Sequence, residues 1–117
     1  MNQIEHNLQC ACVNWFRYQY PKLALRLVAV PNGGQRNLVV ASKLKREGVT
    51  AGVADLVLFA KRGGYGALLL ELKTKSGRQS PSQKRWQCDV ERDGEYLYRV
   101  IRSTDEFIDA VNSYLNL

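Results

Sequence analysis

The chain has 117 residues and a mass of 13.3 kDa, enough for one domain with one core (residues 1–117) and too short for two. Its 45% apolar and 24% charged residues are the balance of a globular fold, not of a disordered or fibrous chain, and its longest uncharged apolar run is about six residues against the ~20 that cross a bilayer. The net charge of +6 is uneven: residues 1–88 hold 14 Lys and Arg against four acids, a +10 part that favours a polyanion such as nucleic acid, whereas residues 89–117 hold three against seven.

In chain order, Ile4, Leu8, Cys12 and Trp15 form a helical stripe over residues 3 to 19, closed by Pro21. ALRLVAV (24–30) reads as a strand that feeds the PNGG loop at 31–34. Residues 35–47 can form a second helix, with Leu38, Ala41 and Leu44 inward and Gly48 as terminator. ADLVLFA (54–60) and GALLLEL (66–72) are strands joined by the glycine-rich KRGGY, a hairpin. Ser80, Pro81 and Gln83 start a third helix as N-cap, first-turn proline and capping-box partner; it ends near Asp93-Gly94. EYLYRVI (95–101) is a fourth strand. Ser103 and Glu106 then open a last helix with Phe107, Val111 and Tyr114 or Leu115 inward. The order αβαββαβα predicts an α/β fold, a mixed sheet flanked by helices.

Four acids survive in the basic part: Glu5, Glu47, Asp55 and Glu71. A hairpin turn centred on Gly63 sets Ala60 opposite Gly66 and Asp55 opposite Glu71, with the two Cβ atoms roughly 5 Å apart. Alternation of faces points Glu71 and Lys73 one way and Leu70 and Leu72 the other, so Asp55, Glu71 and Lys73 converge. Facing carboxylates repel unless a cation sits between them, and Mg²⁺, which takes one or two carboxylates and keeps several waters, suits such a place. The same residues also allow an ion pair of Lys73 with Glu71 or Asp55 at a sheet edge. A slip of one residue in register would put the acids on opposite faces. Glu5, three residues after Asn2, also fits the return half of a capping box, as Gln83 does with Ser80, and Asn and Gly in PNGG suit a turn for conformational reasons alone.

Other chemistries fit poorly. His6 and Cys10 share a helix face, but Cys12 points elsewhere, which disfavours a zinc site. The single histidine lacks the setting of a His-supported nucleophile. Three cysteines without framework spacing suit a reducing compartment, and the first ten residues show no secretion signal, so the expected place is the cytoplasm.

Asp55 followed by Glu71-Leu72-Lys73 resembles the PD-(D/E)XK signature of restriction-endonuclease-like nucleases. With Glu5 on the first helix, PNGG, GVTAGVADLVL (48–58), ELK (71–73) and SPSQKRWQ (80–87), nearly the whole chain resembles a stand-alone virus-type replication-repair nuclease (VRR-NUC) domain. The resemblance implies a restriction-endonuclease-like fold and a Mg²⁺- or Mn²⁺-dependent endodeoxyribonuclease in a bacterium or its phage. Asp55 and Glu71, with the carbonyl of Leu72, would hold the metal. Glu5 would be an auxiliary acid, Lys73 would orient the attacking water and stabilise phosphorane charge, and Gln83 would support the site. Where the family usually has proline before its aspartate, this chain has Ala54, which affects loop rigidity and not ligation. The resemblance further implies a homodimer acting on Holliday junctions. A nuclease of flaps or linear DNA, and a non-catalytic nucleic-acid-binding module, are the alternatives. Lys43, Lys45 and Arg46, Lys61 and Arg62, and Lys75, Arg78, Lys84 and Arg85 are placed to track a DNA backbone without reading bases.

Overall fold

Residues 2–31 and 38–117 are described by the computed structural model. In chain order they form helix α1 (Gln3–Gln19), a 3₁₀ helix (Pro21–Arg26), strand β1 (Leu27–Ala29), helix α2 (Leu38–Arg46), strands β2 (Leu56–Leu58) and β3 (Ala67–Leu72), helix α3 (Pro81–Glu91), strand β4 (Tyr96–Ile101) and helix α4 (Thr104–Leu115). This is the expected alternation with one addition. The four strands make a mixed sheet in the order β1-β2-β3-β4, antiparallel except for the β3–β4 pair. No helix among the described residues is long and apolar enough to cross a membrane.

Local chemistry sets the helix starts. Asn2 accepts from Glu5 N–H to open α1, Ser103 accepts from Glu106 N–H to open α4, and Ser80 with Gln83 makes a full capping box ahead of α3, with Pro81 in the first turn. Pro21 ends α1 but, because its fixed φ suits a helical first position, it starts a 3₁₀ helix; the strand expected over 24–30 shrinks to residues 27–29. The hairpin tip is a two-residue turn in which Gly63 (φ +56°) and Gly64 (φ +88°) adopt the left-handed conformations that a tight hairpin needs. Its register pairs Leu56 with Leu70, Val57 with Leu69 and Leu58 with Leu68.

Both faces of the sheet are covered. Leu56, Leu58, Leu68, Leu70 and Leu72 pack with Cys12 and Phe16 of α1 and Phe107, Val111 and Tyr114 of α4. Val57, Leu69 and Tyr98 pack with Trp86 and Val90 of α3. β3 is therefore buried along its whole length. Three expected inward positions are exposed: Ile4 at the free end of α1, and Leu38 and Ala41 on α2, which has no buried residue and whose Leu44 is half-buried. The α2 pattern is amphipathic, but α1, α3 and α4 already cover the sheet. Asn32, Gly33 and Gly34 of the PNGG loop, and residues 35–37 of the expected second helix, lie outside the described residues.

Candidate active site

The hairpin register places the acids. One step beyond the Leu56–Leu70 pair, Asp55 stands opposite Glu71. The tip is centred between Gly63 and Gly64, not on Gly63, and its Arg62–Tyr65 pair alone would set Asp55 against Leu72; one extra residue on the first strand's side, 59–61 against 66–67, restores the expected register. Asp55 Oδ2 accepts a hydrogen bond of 2.7 Å from Leu72 N–H. In a strand the N–H and C=O of one residue point to the same side, so the Leu72 carbonyl shares the side of its N–H, toward Asp55. Glu71 is fully buried at the carboxyl end of the central strand. Its Oε1 accepts from Tyr98 OH at 2.5 Å and from Gln79 Nε2 at 2.9 Å, whereas Oε2 is buried and receives no hydrogen bond. Lys73, two residues on and on the same face, brings Nζ to 3.9 Å from Oε2, beyond hydrogen-bonding distance.

Burial raises the pKa of Asp55. The Leu72 N–H lowers it, Glu71 and Glu5 raise it, and Lys73 lowers it, with a net upward shift. The contribution of Glu5 shows that the start of α1 lies near the pair. The Glu5 capping bond runs from its N–H to Asn2 Oδ1 at 2.8 Å. Tyr98 carries a phenol held protonated by burial and by the Glu71 carboxylate that accepts its hydrogen bond.

A buried carboxylate oxygen without a donor is costly, and a cation would remove that cost. The available donors are Glu71 Oε2, Asp55 and the Leu72 carbonyl, all hard oxygens that fit Mg²⁺ or Mn²⁺. Among the described residues, no three His, Cys, Asp or Glu side chains are close enough to ligate one ion together. Two carboxylates, a carbonyl and water would thus make the shell, with Glu5 outside it.

The structure brings Asp55, Glu71, Leu72 and Lys73 together and puts Glu5 nearby. The ion pair expected of Lys73 is present with Glu71 as a long contact, Nζ to Oε2 at 3.9 Å, but it lies at the end of an interior strand and not at a sheet edge. Gln83 uses its Oε1 in the capping box, accepting from Ser80 N–H at 2.8 Å; the glutamine that reaches Glu71 is Gln79. Gln79 also donates to Gln87 at 2.7 Å. Tyr98, Gln79 and Gln87 were not read from the sequence: Tyr98 resembles any strand tyrosine until the parallel β3–β4 pairing is known. Lys75, Arg78, Lys84 and Arg85 are exposed around the segment joining β3 to α3, and Lys43, Lys45 and Arg46 are exposed on α2. Lys61 and Arg62 are elsewhere. They sit at the hairpin tip, about 17 Å along β3 from Glu71, and Arg62 bonds the carbonyls of Lys61 and Leu115.

Comparison with known proteins bears on the family and the fold. The sequence model of the VRR-NUC domain matches residues 2–105. A solved structure described as a VRR_NUC domain protein superposes with a TM-score of 0.83 at 27% identity, over 100% of this chain and 92% of that one. No curated relative matches. With the family's model spanning nearly all of the chain and a structural neighbour sharing its fold from end to end, the protein belongs to the VRR-NUC domain family and has a nuclease-type fold.

Proposed function

We propose that this protein is a Mg²⁺- or Mn²⁺-dependent endodeoxyribonuclease that hydrolyses phosphodiester bonds in branched DNA, above all four-way junctions, as a homodimer. The observation that carries the reading is Glu71: a fully buried carboxylate with one bare oxygen, facing Asp55 and beside Lys73, in a chain whose first 88 residues are strongly basic. A binding module needs no such carboxylate pair in its basic part.

When bound, the cation would polarise a non-bridging phosphate oxygen and lower the pKa of the attacking water. Asp55, Glu71 and the Leu72 carbonyl would hold it at the carboxyl end of β3. Lys73 supplies positive charge where negative charge accumulates on phosphorus, and its Nζ can orient the water because Glu71 Oε2 does not engage it closely. Glu5, at the edge of the site, keeps the local field negative enough to favour a cation. Water adds to phosphorus as the bond to a sugar oxygen breaks. Lys75, Arg78, Lys84 and Arg85 bind the flanking backbone without reading bases.

The test is to incubate the purified protein with labelled four-way junction, flap, duplex and single-stranded DNA in Mg²⁺, Mn²⁺ or EDTA. Cleavage that requires the metal and favours the junction is expected. Binding without cleavage under every condition would replace the nuclease by a binding module.

A further inference from the structure

Glu71 is held unequally at its two oxygens. Oε1 is saturated by Tyr98 OH and Gln79 Nε2, and Gln79 is itself anchored to Gln87 on α3. Tyr98 is 2% exposed on β4, and Trp86 of α3 packs against its ring with centroids 6.1 Å apart. Oε2 is buried and bare. Two donors from different parts of the chain thus fix the carboxylate's rotation and leave one lone-pair set free.

We propose that Tyr98 and Gln79 are positioning residues that commit Oε1 of Glu71 to the protein, leave Oε2 alone for a cation, and so make the site prefer Mg²⁺ or Mn²⁺ over Ca²⁺. The inference rests on the divalent-cation reading of Asp55 and Glu71. Mg²⁺ is satisfied by single oxygens from one or two carboxylates with water completing an octahedron, whereas Ca²⁺ takes six to eight oxygens and often both of one carboxylate. Glu71 can offer a second oxygen only by giving up its bonds from Tyr98 and Gln79, which would leave buried donors unpaired. The partners behind a metal ligand commonly govern its affinity in this way.

The test measures binding of Mn²⁺ to the full chain from the electron paramagnetic resonance signal of the free ion, with Mg²⁺ and Ca²⁺ as competitors. Tyr98→Phe removes the donor and keeps the ring against Trp86. It should weaken Mn²⁺ and Mg²⁺ about tenfold while leaving Ca²⁺ unchanged or tighter, so that the Mg²⁺-over-Ca²⁺ preference narrows. Gln79→Ala should move both readouts in the same direction. Gln79 lies outside the packed core, so this variant carries the test if Tyr98→Phe fails to fold. Wild-type affinities and selectivity in both variants, with binding lost in Asp55→Asn, would overturn the inference and leave the cation site standing. A wild-type chain that binds no Mn²⁺ would overturn both.

Discussion

At the scale of single residues, the consequences centre on the buried acids. Asp55→Asn and Glu71→Gln should each abolish cleavage and leave DNA affinity equal or higher, since each removes negative charge facing phosphate; gel-shift titration beside a cleavage assay checks both. Lys73→Ala should reduce turnover far more than binding, because one phosphate contact among many costs little affinity whereas a transition-state contact costs rate. Asp55 also links stability to pH. Its folded-state pKa is raised above 3.8, so the folded chain keeps that proton to higher pH than the unfolded chain does. Asp55 therefore costs no stability below the unfolded value and destabilises progressively as pH rises through the folded one. In EDTA, Asp55→Asn should melt higher than wild type at pH 7, and the difference should shrink toward pH 4; a constant difference would contradict the shift. Cys12 gives an independent check of the packing. Burial pushes its thiol up to about 12, whereas Cys10 and Cys88 are exposed, so a thiol reagent at pH 8 should titrate two cysteines in the native protein and three after unfolding.

At the scale of elements, the loop that delivers Asp55 depends on a close approach. Gly52 has φ +87°, and a Cβ there would lie 2.3 Å from the carbonyl oxygen of Ser82 in the first turn of α3. Gly48 has φ +103° with open space around it. Gly48→Ala should cost only the backbone strain, about 1–2 kcal/mol. Gly52→Ala should cost more, and it should also reduce metal binding, because the 48–53 turn must lift from α3 and carry Asp55 with it. Urea unfolding of the two variants makes the comparison. Elements whose signals are adjacent in sequence were legible: the capping box at Ser80–Gln83, the stripe Phe107, Val111 and Tyr114, and the hairpin at KRGGY. Its register sets Asp55 opposite Glu71 as expected, but through one extra residue at 59–61 that offsets a tip centred between Gly63 and Gly64, and no local signal announces that residue. What the sequence hid depends on distant partners. Tyr98 meets Glu71 only because β4 returns parallel to β3 after α3, and alternation along a strand names its faces but not its neighbours. Likewise, the amphipathic pattern of α2 carries no sign that other helices already cover the sheet, and the 3₁₀ helix at Pro21–Arg26 follows from a proline that can end one helix and start another.

At the scale of the whole molecule, dimensions and charge limit what one copy can do. The chain measures 43 × 33 × 28 Å and carries one Asp55/Glu71 pair, at the carboxyl end of its central strand. One copy can cover an arm of a branched DNA, but it cannot place chemistry on two opposed strands at once. Paired cuts need two copies, and a two-fold dimer would match the symmetry of a four-way junction. The exposed α2 offers apolar side chains for such an interface: Leu38 and Val39 are 88% and 79% exposed on a helix with no buried residue. A dimer would also double the basic surface, so junction affinity should fall steeply between 50 and 200 mM salt, by about 10³-fold or more if six or more phosphates are neutralised. Light scattering should therefore give twice 13.3 kDa at micromolar concentration. Leu38→Glu with Val39→Glu should return the mass to that of one chain, lower junction affinity and flatten its salt dependence, while the single-copy metal site still binds Mn²⁺. A 13.3 kDa species that cuts linear duplex as readily as a junction would leave a monomeric metal-dependent nuclease in place of a junction resolvase.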